Sequence, residues 1–166
     1  MPKTAQDGPT SAPDQLMREG DIAADYLEEL LDVLDFDGDL EMNVEAGRAI
    51  VSIDGGEDLD KLVGERGAVL EALQELTRLA VQQASGNRSR LMLDIAGWRK
   101  TRRDELTALG ARTAKEVLES GESVRLRPMT PFERKVVHDA VAKVKGVASE
   151  SEGEEPRRQV VIFRSA

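Results

Sequence analysis

Cysteine is absent from the 166 residues. Disulfides, thiolate metal sites, cysteine-ligated iron–sulfur clusters and thiol catalysis are therefore excluded. Aromatic residues are scarce: Tyr26, Phe36, Trp98, Phe132 and Phe163 are the whole set. A surface that recognises RNA mainly by stacking bases on aromatic rings is hard to build from five such residues. His138 is the single histidine, which removes any mechanism or zinc site that needs two. No apolar run approaches the roughly 18 residues of a membrane span. The first residues, MPKTAQDGPTSAPDQLM, lack the apolar core of a secretory signal. The expectation is a cytoplasmic protein with no membrane insertion.

What is present in excess is acid. The formal net charge is -9, from 23 Lys+Arg against 32 Asp+Glu. That charge is unevenly spread. Residues 21–58 hold 13 acidic side chains and one basic one, Arg48. By contrast, Arg88, Arg90, Arg99, Lys100, Arg102 and Arg103 face only Asp94 within 88–103. A local basic patch on an acidic protein can still attract a polyanion. These six residues are expected to form a basic junction that steers a phosphate backbone.

Hydrophobic periodicity divides the chain. Residues 1–20 are poor in apolar residues and read as a disordered tail. Asp21 then caps a helix whose buried stripe is Ile22, Tyr26, Leu30 and Val33. Residues 40–44 and 49–53 alternate as two strands about an Ala46-Gly47 turn. A short helix over 59–63 leads into Gly64-Glu65-Arg66-Gly67. The helix from Ala68 to about Ala84 carries the stripe Val69, Leu73, Leu76, Ala80. Residues 91–95 form a strand, closing an α-β-β-α-α-β unit over 21–96. The rest, 97–166, reads α-β-α-β-β: a helix over 98–119, a strand over 124–127, a helix from Thr130, and a terminal hairpin. Thr130-Pro131-Phe132-Glu133 is a capping box with proline at the first helical position. The fold class expected is α+β, in two small domains.

Two constellations carry chemistry. In the first, Gly64 and Gly67 let the backbone turn sharply beside the next helix, whose free N–H groups can hold a phosphate. In the second, Arg134 and His138 stand four apart, one turn apart on one helix face, with Lys135 between them. No P-loop, serine elbow or EF-hand is present: the acidic run from Asp35 has Leu40 and Ala46 where an EF-hand needs glycine and glutamate. The chain is not expected to be an enzyme, and no cofactor or metal is implied.

The run Leu62 to Gln74, in its α-β-β-α-α-β setting, resembles the core of a type II KH domain. That resemblance implies that Gly64, Glu65, Arg66 and Gly67 clamp the backbone of about four nucleotides. Glu65 offsets Arg66, so this loop is neutral where many of its kind are basic. The Arg134-x-x-x-His138 spacing on a proline-capped helix is similar to the R-three-H domain, which binds single-stranded nucleic acid through those two side chains. Charge placement adds Arg125, Arg127, Arg157 and Arg158 to that face. The two motifs in this order resemble the Jag family (SpoIIIJ-associated, KhpB/EloR), without the N-terminal Jag-N domain. The resemblance implies a bacterial RNA chaperone or regulator linked to cell elongation and envelope synthesis. It further implies single-stranded RNA, with ssDNA possible, as ligand, and a small single-KH protein as partner. The competing reading is a protein–protein adaptor with weak or lost RNA binding.

Overall fold

The computed structural model describes residues 12–166. The chain divides into two compact units, the first running to Trp98 and the second from Arg99 to Ala166. The expected tail falls partly on residues 1–11, which lie outside the described residues.

The first unit opens with helix α1 (Ala12–Leu34), followed by strands β1 (Asp39–Glu45) and β2 (Arg48–Asp54). Helix α2 (Asp60–Val63), a 3-10 turn at 65–67, helix α3 (Ala68–Ser85) and strand β3 (Met92–Ile95) complete it. The α-β-β-α-α-β order is the one expected. The sheet runs β1-β2-β3, with β1 antiparallel to β2 and β3 parallel to it. Strand β2 buries alternate residues, Ala49, Val51 and Ile53, and β3 buries Leu93 and Ile95. One face of the sheet is thus packed, under α1 and α3.

Two readings are corrected here. Residues 12–20 are helical, where a disordered tail was expected. The reason is Gly20, which is buried where α1 crosses β1: a Cβ there would stand 2.0 Å from the Met42 sulfur. A glycine that reads as a breaker serves as a close-contact point. Gly20 also sets which face turns inward. The buried residues are Ala23, Leu27 and Leu31, while Ile22, Tyr26 and Leu30 flank them and Val33 faces solvent, 83% exposed. In α3 the stripe is likewise rotated. Leu70, Leu73, Gln74, Thr77 and Val81 are buried, whereas Val69 and Leu76 are exposed. Two polar residues occupy core positions because both are satisfied: Gln74 Oε1 accepts from the Leu93 N–H at 3.0 Å, and the Thr77 hydroxyl donates to the Leu73 carbonyl at 2.7 Å.

The second unit comprises α4 (Trp98–Ser120), β4 (Val124–Arg125), α5 (Pro131–Ala142), β5 (Val147–Glu152) and β6 (Gln159–Arg164). The unit boundary falls within the first turn of α4. The antiparallel sheet runs β4-β6-β5. Leu106, Ala114 and Val117 of α4 share a core with Val137 and Val141 of α5 and Val160 and Ile162 of β6. The capping box is formed as read: the Thr130 hydroxyl accepts from the Glu133 N–H at 3.3 Å, and Glu133 Oε1 accepts from the Thr130 N–H at 3.1 Å. Strand β4 is shorter than read, although the Leu126 N–H still donates to the Val160 carbonyl.

Candidate nucleic-acid interface

The loop between α2 and α3 is a run of unusual backbone. Gly64 has φ 72°, Arg66 φ 55° and Gly67 φ 76°. Three left-handed residues within four fold the chain back on itself, and the Gly67 N–H donates to the Gly64 carbonyl. Glu65 and Arg66 project into solvent. No side chain caps α3, so its first N–H groups stay available at the loop. Gly67 itself is buried, and a Cβ on it would stand 2.5 Å from the Trp98 indole. Gly64 is crowded too, its Cβ position lying 2.4 Å from Val69. Both glycines are therefore required by packing and by φ.

The Arg-x-x-x-His pair is placed differently from the expected open face. Arg134 is buried, 8% exposed. Its Nη1 donates to the Met129 carbonyl at 2.6 Å and its Nη2 to Glu155 Oε1 at 2.5 Å. It ties the start of α5 to the β5–β6 connection. His138 is half-buried between two hydroxyls one strand-step apart, Nδ1 2.6 Å from Ser149 Oγ and Nε2 2.7 Å from Ser151 Oγ. A neutral imidazole accepts one of these bonds and donates the other. Burial holds its pKa below the usual imidazole value. The Arg134 charge adds to that, Asp139 opposes it, and Arg158 adds to it. Ser149, Ser151 and Glu155 escaped the sequence reading. Only the hairpin brings them to the helix, and no local spacing signals it.

The other cations of this unit divide by partner. Arg125 pairs with Glu152 at 2.8 Å, Lys135 with Asp139 at 3.1 Å, and Arg158 donates to the Gly153 carbonyl at 2.7 Å. Arg127 and Arg157 are exposed.

The six-residue junction is not one cluster. Arg99 is buried, 2% exposed, with its guanidinium 4.9 Å from the Phe132 ring centre, and Arg103 is 5.6 Å from the same centre. Arg102 bridges Glu133 at 2.7 Å and Glu105 at 3.0 Å. Lys100 is exposed. These four residues follow β3 in the chain, and the three arginines engage α4 and α5 side chains. Arg88 and Arg90 precede β3 and belong to the first unit. Neighbours in sequence were read as neighbours in space, and the intervening strand sets them apart.

Among the described residues, no group of three or more His, Asp or Glu is gathered to hold a metal. None of the described helices is long and apolar enough to cross a membrane.

The second unit is an R-three-H domain: the model of that family matches residues 104–164. With the mixed-sheet unit before it, the chain is a two-domain α+β protein. Its relatives carry one name. It is 34% identical over 143 residues to the RNA-binding protein KhpB of Clostridium symbiosum, covering 86% of this chain and 64% of that protein. It is 34% identical over 109 residues to KhpB of Bacillus subtilis, covering 64% and 52%. It is 32% identical over 138 residues to KhpB of Lactiplantibacillus plantarum, covering 83% and 42%. Both findings accord with the Jag-type resemblance carried by the two motifs. The chain spans between 42% and 64% of the length of these relatives.

Proposed function

We propose that the protein binds single-stranded nucleic acid, mainly RNA, without catalysis. The observation that carries this is the loop at 64–67, where left-handed backbone and the uncapped N-terminus of α3 present N–H groups in the open. Such a site takes a phosphodiester without needing a basic side chain, which suits a neutral Glu65-Arg66 pair. The name of the relatives supports the same reading. In the second unit, exposed Lys135, Arg127 and Arg157 are the phosphate contacts. Arg134 acts by holding the surface and His138 by shaping it. Two weak modules on one chain gain avidity through effective concentration. A role as an RNA chaperone or post-transcriptional regulator in cell elongation and envelope synthesis, in the cytoplasm, fits this reading. ssDNA would bind by the same contacts.

The test is fluorescence anisotropy of a labelled RNA of about 15 nucleotides across salt. About five neutralised phosphates give a log–log slope near -3.5, at roughly -0.7 each. Arg66→Glu and Arg127→Glu/Arg157→Glu each weaken binding if both modules act. Absence of binding at low salt by the folded protein overturns the reading.

A second reading, a protein adaptor, draws on α3. Val69, Leu76 and Leu79 are 41%, 53% and 59% exposed on that helix. A small single-KH protein is the partner this reading names.

A further inference from the structure

Strand β3 starts at Met92, which pairs with Ile50 of β2 in parallel register. Continuing that register two residues back sets Arg90 beside Arg48. Arg78 of α3 reaches the same place, its Nε donating to the Leu91 carbonyl at 2.8 Å. Arg88 and Arg78 then line a shallow depression of about 290 Å³ together with Gln82, Ser89, Glu75 and Leu79. Four guanidinium groups thus meet where the β1–β2 turn, the C-terminal half of α3 and the entry to β3 come together. Of the nearby carboxylates, Glu75 is held by Arg78 at 3.1 Å, and Glu45, across the hairpin from Arg48, accepts from the Asn43 amide. Arg48, Arg88 and Arg90 make no ion pair among the described residues. This crowding is felt: burial, then Arg90, then Arg78, push the Arg48 guanidinium below its usual value.

We infer that Arg48, Arg78, Arg88 and Arg90 form a second phosphate-binding surface, which takes consecutive phosphates of a nucleic-acid strand. It lies at the end of β3 away from Trp98 and Gly67, so it is separate from the loop at 64–67. Like charges gathered without carboxylates store repulsion that a polyanion relieves. The exposed Arg88 and Arg90 rim the depression, and Gln82 adds a neutral donor at its side. Planar guanidinium groups suit bidentate contact with phosphate oxygens. The occupant is a strand rather than a free phosphate, because the four cations are spread over three elements. This inference rests on the RNA-binding reading for its occupant, and on geometry alone for its site.

The experiment uses the full chain and the triple variant Arg48→Gln/Arg88→Gln/Arg90→Gln. Anisotropy is measured across salt with RNAs of about 20 and about five nucleotides. The expected result is a log–log salt slope for the long RNA shallower by about 2, at roughly 0.7 per lost contact, with the short RNA little changed. In parallel, the arginine Nε–Hε NMR signals of the wild type are followed on adding tripolyphosphate, and those of Arg48, Arg78, Arg88 and Arg90 should shift. An unchanged slope on the long RNA overturns the inference and leaves the RNA-binding reading standing. If the wild type binds neither RNA while the four arginine signals shift, the site stands and RNA is overturned as its occupant. Signals that stay still in tripolyphosphate overturn the site itself.

Discussion

The two motifs that mark this chain are built on opposite principles. In the first unit, the residues that define the loop are the glycines, and they serve geometry: Gly67 is buried against Trp98 while Glu65 and Arg66 stand in solvent. In the second unit the defining residues are an arginine and a histidine, and the fold uses them itself. Arg134 spends both of its printed contacts on Met129 and Glu155, and His138 is flanked by Ser149 and Ser151. A charged residue in a motif is thus no proof of a ligand contact. The first unit offers backbone to a ligand, and the second offers whatever cations Arg134 has not tied down.

The largest expected effect tests that contrast directly. Arg134→Ala strands the Met129 carbonyl and removes the strut to Glu155, which lowers stability by about 2–3 kcal/mol. Urea unfolding of the full chain, with amide exchange of α5 and β5–β6, measures it. Arg134→Lys does not restore the loss, because an ammonium cannot span the two acceptors as a fork does. If Arg134→Ala is neutral for stability but lowers RNA affinity, the strut role is wrong.

Gly67→Ala comes next. It places a Cβ into the indole at positive φ and should cost about 1–3 kcal/mol. Larger residues such as aspartate strain the loop further, so they report on folding as well as on RNA. Glu65→Lys avoids this, because the side chain is exposed. It should strengthen RNA binding and steepen the salt slope by about 0.7.

The pH response belongs to the second unit. The folded imidazole of His138 titrates below its unfolded value, so the unfolded chain takes up its proton first as pH falls. This contribution to stability is complete above the unfolded value of about 6.5 and is lost as pH drops through it toward the folded pKa. Thermal unfolding between about pH 7.5 and 5.5 should show the decline, and His138→Gln should flatten it. The smallest effect is Lys135→Ala. Its pair with Asp139 is exposed on both sides, so stability changes by less than about 0.5 kcal/mol. RNA affinity, by contrast, falls in a salt-dependent way if Lys135 contacts phosphate.

Element order was legible from the sequence because strands, caps and glycine stops agree with one another over most of the chain. The capping box at Thr130 and the glycine loop are local signals, and both are formed. What failed did so where tertiary contact overrides local pattern. Gly20 reads as a breaker until Met42 is known to lie against it. Gln74 and Thr77 read as surface until their partners Leu93 and Leu73 are seen. The junction of six cations dissolved because sequence adjacency carries no information about which side of a strand's length a residue falls on. Arg48 was invisible for the opposite reason: it is the lone basic residue in an acidic stretch, and only the β2–β3 register brings Arg90 to it.

Trp98 is the sole tryptophan, and its ring lies over Gly67. The protein therefore carries an intrinsic optical probe at the loop where RNA is proposed to bind. Emission excited selectively at the red edge of indole absorption reports on one site in one unit, with no label attached. A ligand that orders or displaces the loop shifts that emission, while an event confined to the second unit's hairpin leaves it silent. The same indole explains why position 67 tolerates no side chain: the probe occupies the space that a Cβ would need.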